Sequence, residues 1–200
     1  MNFLAVLDYD HLDNGMFLTA FARSLAQKEK SGIIIHSDSE YTDRLIQTGM
    51  MREDARLRAI KDLNHRLIAL FADQGVSTIG VNGHQKSLIQ LKNNQIRINK
   101  DQVRRFPSQP MLLISGLAEG LTGKSPTALS LPEMALSFQD SFDFEKIILF
   151  STDESSSFIK GDFPQDIIPS EKDQPFLEKH VPECFRTFKH KVQLNTPDTF

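Results

Sequence analysis

The sequence predicts an α/β protein: a mainly parallel sheet sandwiched by helices. Three observations predict it. Short runs such as Ile33-Ile34-Ile35, Met111 to Ile114 and Ile147 to Phe150 are apolar at every position, the pattern of strands buried on both faces. Stretches with helical periodicity separate these runs, the alternation of βαβ units. The chain has 200 residues, 40% of them hydrophobic, enough for one sizeable core.

Phe3 to Leu7 reads as the first strand, ending at Asp8-Tyr9-Asp10. Asp13-Asn14-Gly15 starts a helix to about Lys30, with Phe17, Phe21 and Leu25 on its apolar face. Ile33 to His36 is the second strand, and a helix follows from Ser39 to Gln47. Glu53 to Asp73 is the longest helix. Ile60, Leu63, Leu67 and Leu70 give it a stripe, and Gly75 ends it as a left-handed cap. Ser77 to Val81 is a strand, and Ser87 to Leu91 with Gln95 to Asn99 flank Lys92-Asn93-Asn94 as a hairpin. Met111 to Ser115 is buried strand, Leu117 to Ser130 a long loop, Glu133 to Phe138 a short helix and Lys146 to Ser151 a strong strand. Phe163 to Pro175 reads as irregular. Phe176 to Phe188 is helical in part and broken at Pro182, and Lys191 to Leu194 is a final strand. The chain reads as a single domain over residues 1–200, with no internal repeat.

Composition excludes several classes. The net charge is -3 and the basic residues are scattered, so nothing favours nucleic acid or an anionic membrane. No apolar run is long enough to span a bilayer, and Met1-Asn2-Phe3-Leu4 lacks the start of a signal peptide. Cys184 is the one cysteine, which rules out an intrachain disulfide and suits a reducing compartment. These features lead us to expect a cytoplasmic protein.

Several phrases then appear in a telling order. They are Ile33-Ile34-Ile35-His36, Gly49-Met50-Met51-Arg52, Leu63-Asn64-His65, Ile79-Gly80-Val81-Asn82-Gly83-His84 and Leu149-Phe150-Ser151-Thr152-Asp153. Over residues 3–155 this order resembles the amino acid kinase family, acetylglutamate kinase most closely, and specifically its N-terminal half. The resemblance implies a sandwich of that fold, a homodimer, an acyl amino acid or related carboxylate as ligand, and Mg-ATP as co-substrate in an active member. It also exposes departures. Where the family carries a glycine triplet this chain has Ser37-Asp38-Ser39. The family's lysine and glycine pair fall in Leu7-Asp8-Tyr9-Asp10, and its asparagine falls near Leu131-Pro132-Glu133. Residues 156–200 are a short divergent tail in place of the nucleotide lobe. The expectation is a truncated, degenerate member that has lost or weakened its activity and binds a small molecule or a protein partner. It needs no cofactor. The alternatives are an active ATP-dependent transferase with a rebuilt site, or a subunit that pairs with a true kinase.

The candidate residues follow from local chemistry. Ser37 with Glu40 fits a capping box, which would satisfy the helix start internally. The competing reading is a site for a neutral or cationic ligand with Asp38 as acceptor, flanked by Ser39. Asp8 and Asp10 stand at a strand's carboxyl end, where α/β proteins place ligands, and with Asp38 form an acidic mouth for a metal or an amine. They also serve as turn and cap residues. Arg52 aligns with the family's carboxylate-binding arginine, with Arg56 and Arg58 as close competitors. Asp153 aligns with its strand-end aspartate at the nucleotide side. Ala118 to Ser125 fits a relaxed P-loop, which makes Lys124 and Ser125 nucleotide ligands if the protein is active. Pro126 and Pro132 fall where the P-loop helix would run, and an interior proline costs about 3 kcal/mol. An active site would otherwise draw positive charge from Phe188-Lys189-His190-Lys191. His180, Cys184 and His190 lack the fourth ligand of a structural zinc site, so no metal is expected. No Gly-x-Ser-x-Gly or Gly-x-Gly-x-x-Gly turn is present.

Overall fold

Strands that are apolar at every position must be covered on both sides. The computed structural model describes residues 2–28, 31–120, 125–153, 155 and 161–200. The first half places β1 (Leu4–Leu7), α1 (Tyr9–Leu12), α2 (Gly15–Lys28), β2 (Ile33–His36), α3 (Tyr41–Gln47), α4 (Arg52–Asp73), β3 (Thr78–Asn82), β4 (Ile89–Lys92), β5 (Gln95–Ile98) and α5 (Lys100–Arg104). The second half places β6 (Met111–Ser115), β7 (Leu117–Ala118), β8 (Thr127–Ala128), α6 (Leu131–Phe142), β9 (Ile147–Phe150), β10 (Gln165–Ile167), α7 (Gln174–His180) and β11 (Val192–Asn195). Seven strands form one sheet in the order β10-β11-β9-β1-β2-β6-β3. Its pairings are parallel except β10 with β11. This is the mainly parallel α/β sandwich the sequence predicts.

Alternation along each strand divides the core in two. Leu4, Val6, Ile33, Ile35, Ile114 and Leu149 face a cluster completed by Met134 and Phe138 of α6 and by Leu177 and Phe185 of the tail. Ala5, Leu7, Ile34, Leu113 and Phe150 face the other cluster, under α2 (Phe17, Phe21, Leu25) and α4 (Leu63, Leu67, Phe71). Burying each such side chain contributes about 2 kcal/mol. The predicted stripe on α4 therefore turns inward. Ile60, Leu63 and Leu67 are buried in the chain's own core, so they are not available as a pairing face. Gly75, at φ +79, ends α4: its N–H bonds Ala72 O at 2.9 Å and the Val76 N–H bonds Phe71 O at 2.9 Å.

Four expectations need correction. Helix α3 starts at Tyr41 rather than Ser39. Helix α6 spans Leu131–Phe142, twice the expected length, because Pro132 is welcome in a first turn where its missing N–H is not needed. The loop from 117 to 130 contains the β7–β8 pair. The segment expected to be irregular contains β10, which pairs antiparallel with β11, while β11 runs parallel to β9. The tail thus extends the same sheet. Among the described residues, no helix is long and apolar enough to cross a membrane.

Candidate functional site

Parallel pairing brings the carboxyl ends of the strands to one rim. The register aligns Leu7 with His36, His36 with Ser115, and Ser115 with Asn82. The residue after each apolar run is polar, so the rim is a polar layer over an apolar sheet. The imidazole of His36 is fully buried there and donates from Nδ1 to Ser37 O at 3.0 Å. Ser115 Oγ donates to Asn82 Oδ1 at 3.0 Å. Burial lowers the His36 pKa to about 4, against the smaller opposing pull of its bonds to Ser37 and Asn64. His11, in α1, is lowered to about 4 for the same reason, and its ring faces Ser151 O at 3.2 Å.

Over this rim lies a cleft of about 680 Å³. Four segments wall it: Asp8 and Tyr9 after β1, Ser37 and Asp38 after β2, Leu129 to Leu131 entering α6, and Glu183, Cys184 and Thr187 of the tail. Arg56 of α4 closes one side. Asp8 is only 6% exposed. The Cys184 thiol donates to its Oδ1 at 3.3 Å. Burial, chiefly, raises the Asp8 carboxyl above its usual range. Backbone and thiol hydrogen bonds oppose that shift, and the charges of Asp10 and Asp38 add to it. Burial and the neighbouring Asp8 likewise push the Cys184 thiol up. Tyr9 donates its hydroxyl to Asp43 Oδ2 at 2.8 Å, tying α1 to α3, and burial with that acceptor raises its pKa.

Asp38 is already engaged. Arg56 Nε donates to Oδ2 at 3.1 Å and Nη2 to Oδ1 at 3.4 Å, while Ser37 Oγ donates to Oδ1 at 3.1 Å. The expected Ser37–Glu40 capping box does not form: Ser37 turns to its neighbour and Glu40 pairs with Arg44 at 3.4 Å. Glu40 stands at the N-cap position without a side-chain cap bond, and the fully buried Ser39 accepts from the Tyr41 N–H through Oγ at 3.2 Å.

The structure thus gathers Asp8, Ser37 and Asp38 at one cleft and leaves other candidates apart. Asp10 is exposed on α1, outside the lining. Arg52 is exposed at the start of α4, Arg58 pairs with Asp62 at 3.6 Å, and Arg56 is the arginine at the cleft. Asp153 pairs with Lys179 at 3.3 Å. Burial raises its carboxyl pKa, but the hydrogen bonds of Ser155 and Lys179 outweigh this and leave it lowered. Ser125 lines a neighbouring cleft of about 490 Å³, and Lys124 lies outside the described residues. Just past Ser125, β8 (Thr127–Ala128) pairs antiparallel with β7. A P-loop needs a helix at that point, so the P-loop reading fails on geometry. Lys191 pairs with Asp166 at 3.0 Å. His180 bonds Ser151 at 2.9 Å, Cys184 bonds Asp8 and His190 packs on Phe188. Among the described residues no group of three or more His, Cys, Asp or Glu side chains is placed to hold a metal.

Sequence reasoning missed the tail's share of the wall. Asp8 and Cys184 are 176 residues apart, and no local pattern signals that contact. Tyr9 was legible only as a strand-end position and Ser130 only as the end of a long loop, because the helix was expected to start at Glu133.

No family model matches the chain, and no curated protein matches it. Its structural likenesses are clear. A protein titled smu.665 from Streptococcus mutans superposes with a TM-score of 0.68 at 13% identity, over 99% of this chain and 95% of that one. N-acetylglutamate synthase from Neisseria gonorrhoeae, complexed with coenzyme A and N-acetyl-glutamate, gives 0.64 at 16% identity, over 98% of this chain and 54% of that one. The isopentenyl phosphate kinase of T. acidophilum gives 0.60 at 11% identity, over 99% of this chain and 92% of that one. The class these define is the amino acid kinase-like fold, and this chain has that fold. Nothing in them singles out acetylglutamate kinase.

Proposed function

We propose that this chain is a non-catalytic protein of the amino acid kinase-like fold that binds a small molecule in the cleft over its strand ends. The observation that carries the reading is the charge of that cleft. Asp8, Asp38 and Glu183 face a single lining cation, Arg56, among the described residues, and Asp38 already neutralises it. Phosphoryl transfer works by stabilising negative charge with cations and backbone donors. A carboxylate where an anion would come does the opposite. The same charge excludes Mg-ATP as a tight ligand here, and a non-nucleotide ligand is the occupant. We further propose that the chain is cytoplasmic and acts as a homodimer or beside a partner kinase. Since the α4 stripe is buried, pairing uses another surface, and light scattering reads the mass.

Thermal shift tests the reading. A ligand at 100 times its Kd stabilises a fold by about 2.7 kcal/mol. Millimolar Mg-ATP, with or without N-acetylglutamate, is expected to leave the Tm unchanged. A rise of several degrees would restore the transferase alternative and direct attention to Lys124, Ser125 and Asp153.

A further inference from the structure

Asp8 is a problem the fold does not solve internally. It is a carboxylate only 6% exposed, and no cation pairs with it among the described residues. An unpaired buried charge is expensive unless a partner arrives or the group takes a proton. Its polar neighbour on the tail is a thiol, a weak donor. Arg56, the cation at the cleft, is committed to Asp38 through two hydrogen bonds. Asp8 meanwhile opens into about 680 Å³ of space whose wall includes Leu129 and Leu131. That volume is in the range of small-molecule sites.

We propose that this cleft binds a small primary amine with an apolar body, its ammonium paired with Asp8 and its body against Leu129 and Leu131. The proposal rests on reading the cleft as a non-nucleotide site. The chemistry selects among cations. Asp8 is only 6% exposed, so little of its carboxylate is open to the broad planar fork of a guanidinium. An ammonium is a compact charge that needs one strong acceptor and takes weaker ones around it. A metal ion wants several hard ligands, and no group of three is placed for it among the described residues. The groups facing Asp8 set the proton balance. They are Tyr9 and Asp10 of α1, the Asp38–Arg56 pair, and Cys184 with Glu183 of the tail. The like charges of Asp10 and Asp38 favour the neutral acid in the empty cleft. Ammonium binding favours the carboxylate, so a proton leaves Asp8 as the amine enters. Affinity therefore rises with pH through the Asp8 titration.

The test is calorimetric titration of the full chain with phenethylamine, with 2-phenylethanol as the uncharged control and Mg-ATP alongside. The amine is expected to bind at least about tenfold more tightly than the alcohol, a difference of roughly 1.4 kcal/mol. Asp8→Asn should remove that preference, while the remote Glu171→Gln keeps it. Equal affinity for amine and alcohol, or an unchanged preference in Asp8→Asn, overturns the proposal. If Asp8→Asn does not fold, the wild-type pH profile decides: affinity that is flat between about pH 4 and 8 overturns it. Micromolar Mg-ATP binding would instead sink the non-nucleotide reading, whereas silence from both amine and nucleotide sinks this inference alone.

Discussion

At the scale of single residues, the cleft is controlled by what each carboxylate has for a partner. Asp38 has Arg56, but the pair is partly solvated, with side chains 22% and 40% exposed. Arg56→Ala should therefore cost no more than about 1 kcal/mol in chemical denaturation. Asp8 has the Cys184 thiol and the Tyr9 backbone N–H, but no cation among the described residues. Its folded pKa lies above the ordinary 3.8, so the fold favours the neutral acid. That favour is fully present below 3.8 and is lost as pH rises through the folded value. At neutral pH the ionised group is thus a burden. Asp8→Asn should raise the Tm at neutral pH, and the difference should vanish in acid. The same substitution removes a negative charge beside Cys184, so the thiol should react several-fold faster with iodoacetamide at mildly alkaline pH. An unchanged alkylation rate would mean that the Asp8 charge does not restrain the thiol.

At the scale of elements, two contacts bear most clearly on how the rim is held. Gly80 lies in β3 under α4, and an added Cβ would strike Ile68 Cδ1 and sit 2.8 Å from Asn64 Oδ1. Gly80→Ala should cost about 1–3 kcal/mol by overpacking and should push α4, with Arg56, away from the cleft. Phe200 is 3% exposed and meets Phe3 at 4.9 Å and Phe21 at 5.2 Å between ring centroids. Phe200→Ala should cost about 3–5 kcal/mol, read as a lowered denaturation midpoint. Much of the element order was legible. Fully apolar runs marked β1, β2, β6 and β9, and the Asn93-Asn94 pair, both at positive φ, marked the β4–β5 turn. What was not legible depends on distance in sequence. β10 is three residues of mixed polarity that become a strand only because β11 lies beside it. The Ser37–Glu40 spacing matched a capping box, yet Ser37 bonds Asp38, Glu40 pairs with Arg44, and Ser39 Oγ accepts from the Tyr41 N–H. Asp8, Ser37 and Asp38 were readable as strand-end residues, whereas Cys184 and Arg56 joined them only through tertiary packing.

At the scale of the whole molecule, the fold puts two neutral histidines, His11 and His36, where they cannot easily charge. Their folded pKa values are about 4 against 6.5 for the free side chain. Each contributes stability that is present above pH 6.5 and lost as pH falls through that value toward 4, roughly 3 kcal/mol apiece. Denaturant midpoints should therefore fall steeply between those pH values, and His36→Gln should flatten the fall. A profile level across that range would show that the rim admits charge. The larger question is whether a sheet built like those of kinases still serves a nucleotide. Asp8 and Asp38 stand at the strand ends, and Arg56, paired with Asp38, is the one cation lining the cleft among the described residues. Calorimetric titration of the wild-type chain with Mg-ATP asks this most directly. The account predicts no heat beyond dilution at millimolar nucleotide. Saturable binding in the micromolar range would contradict it.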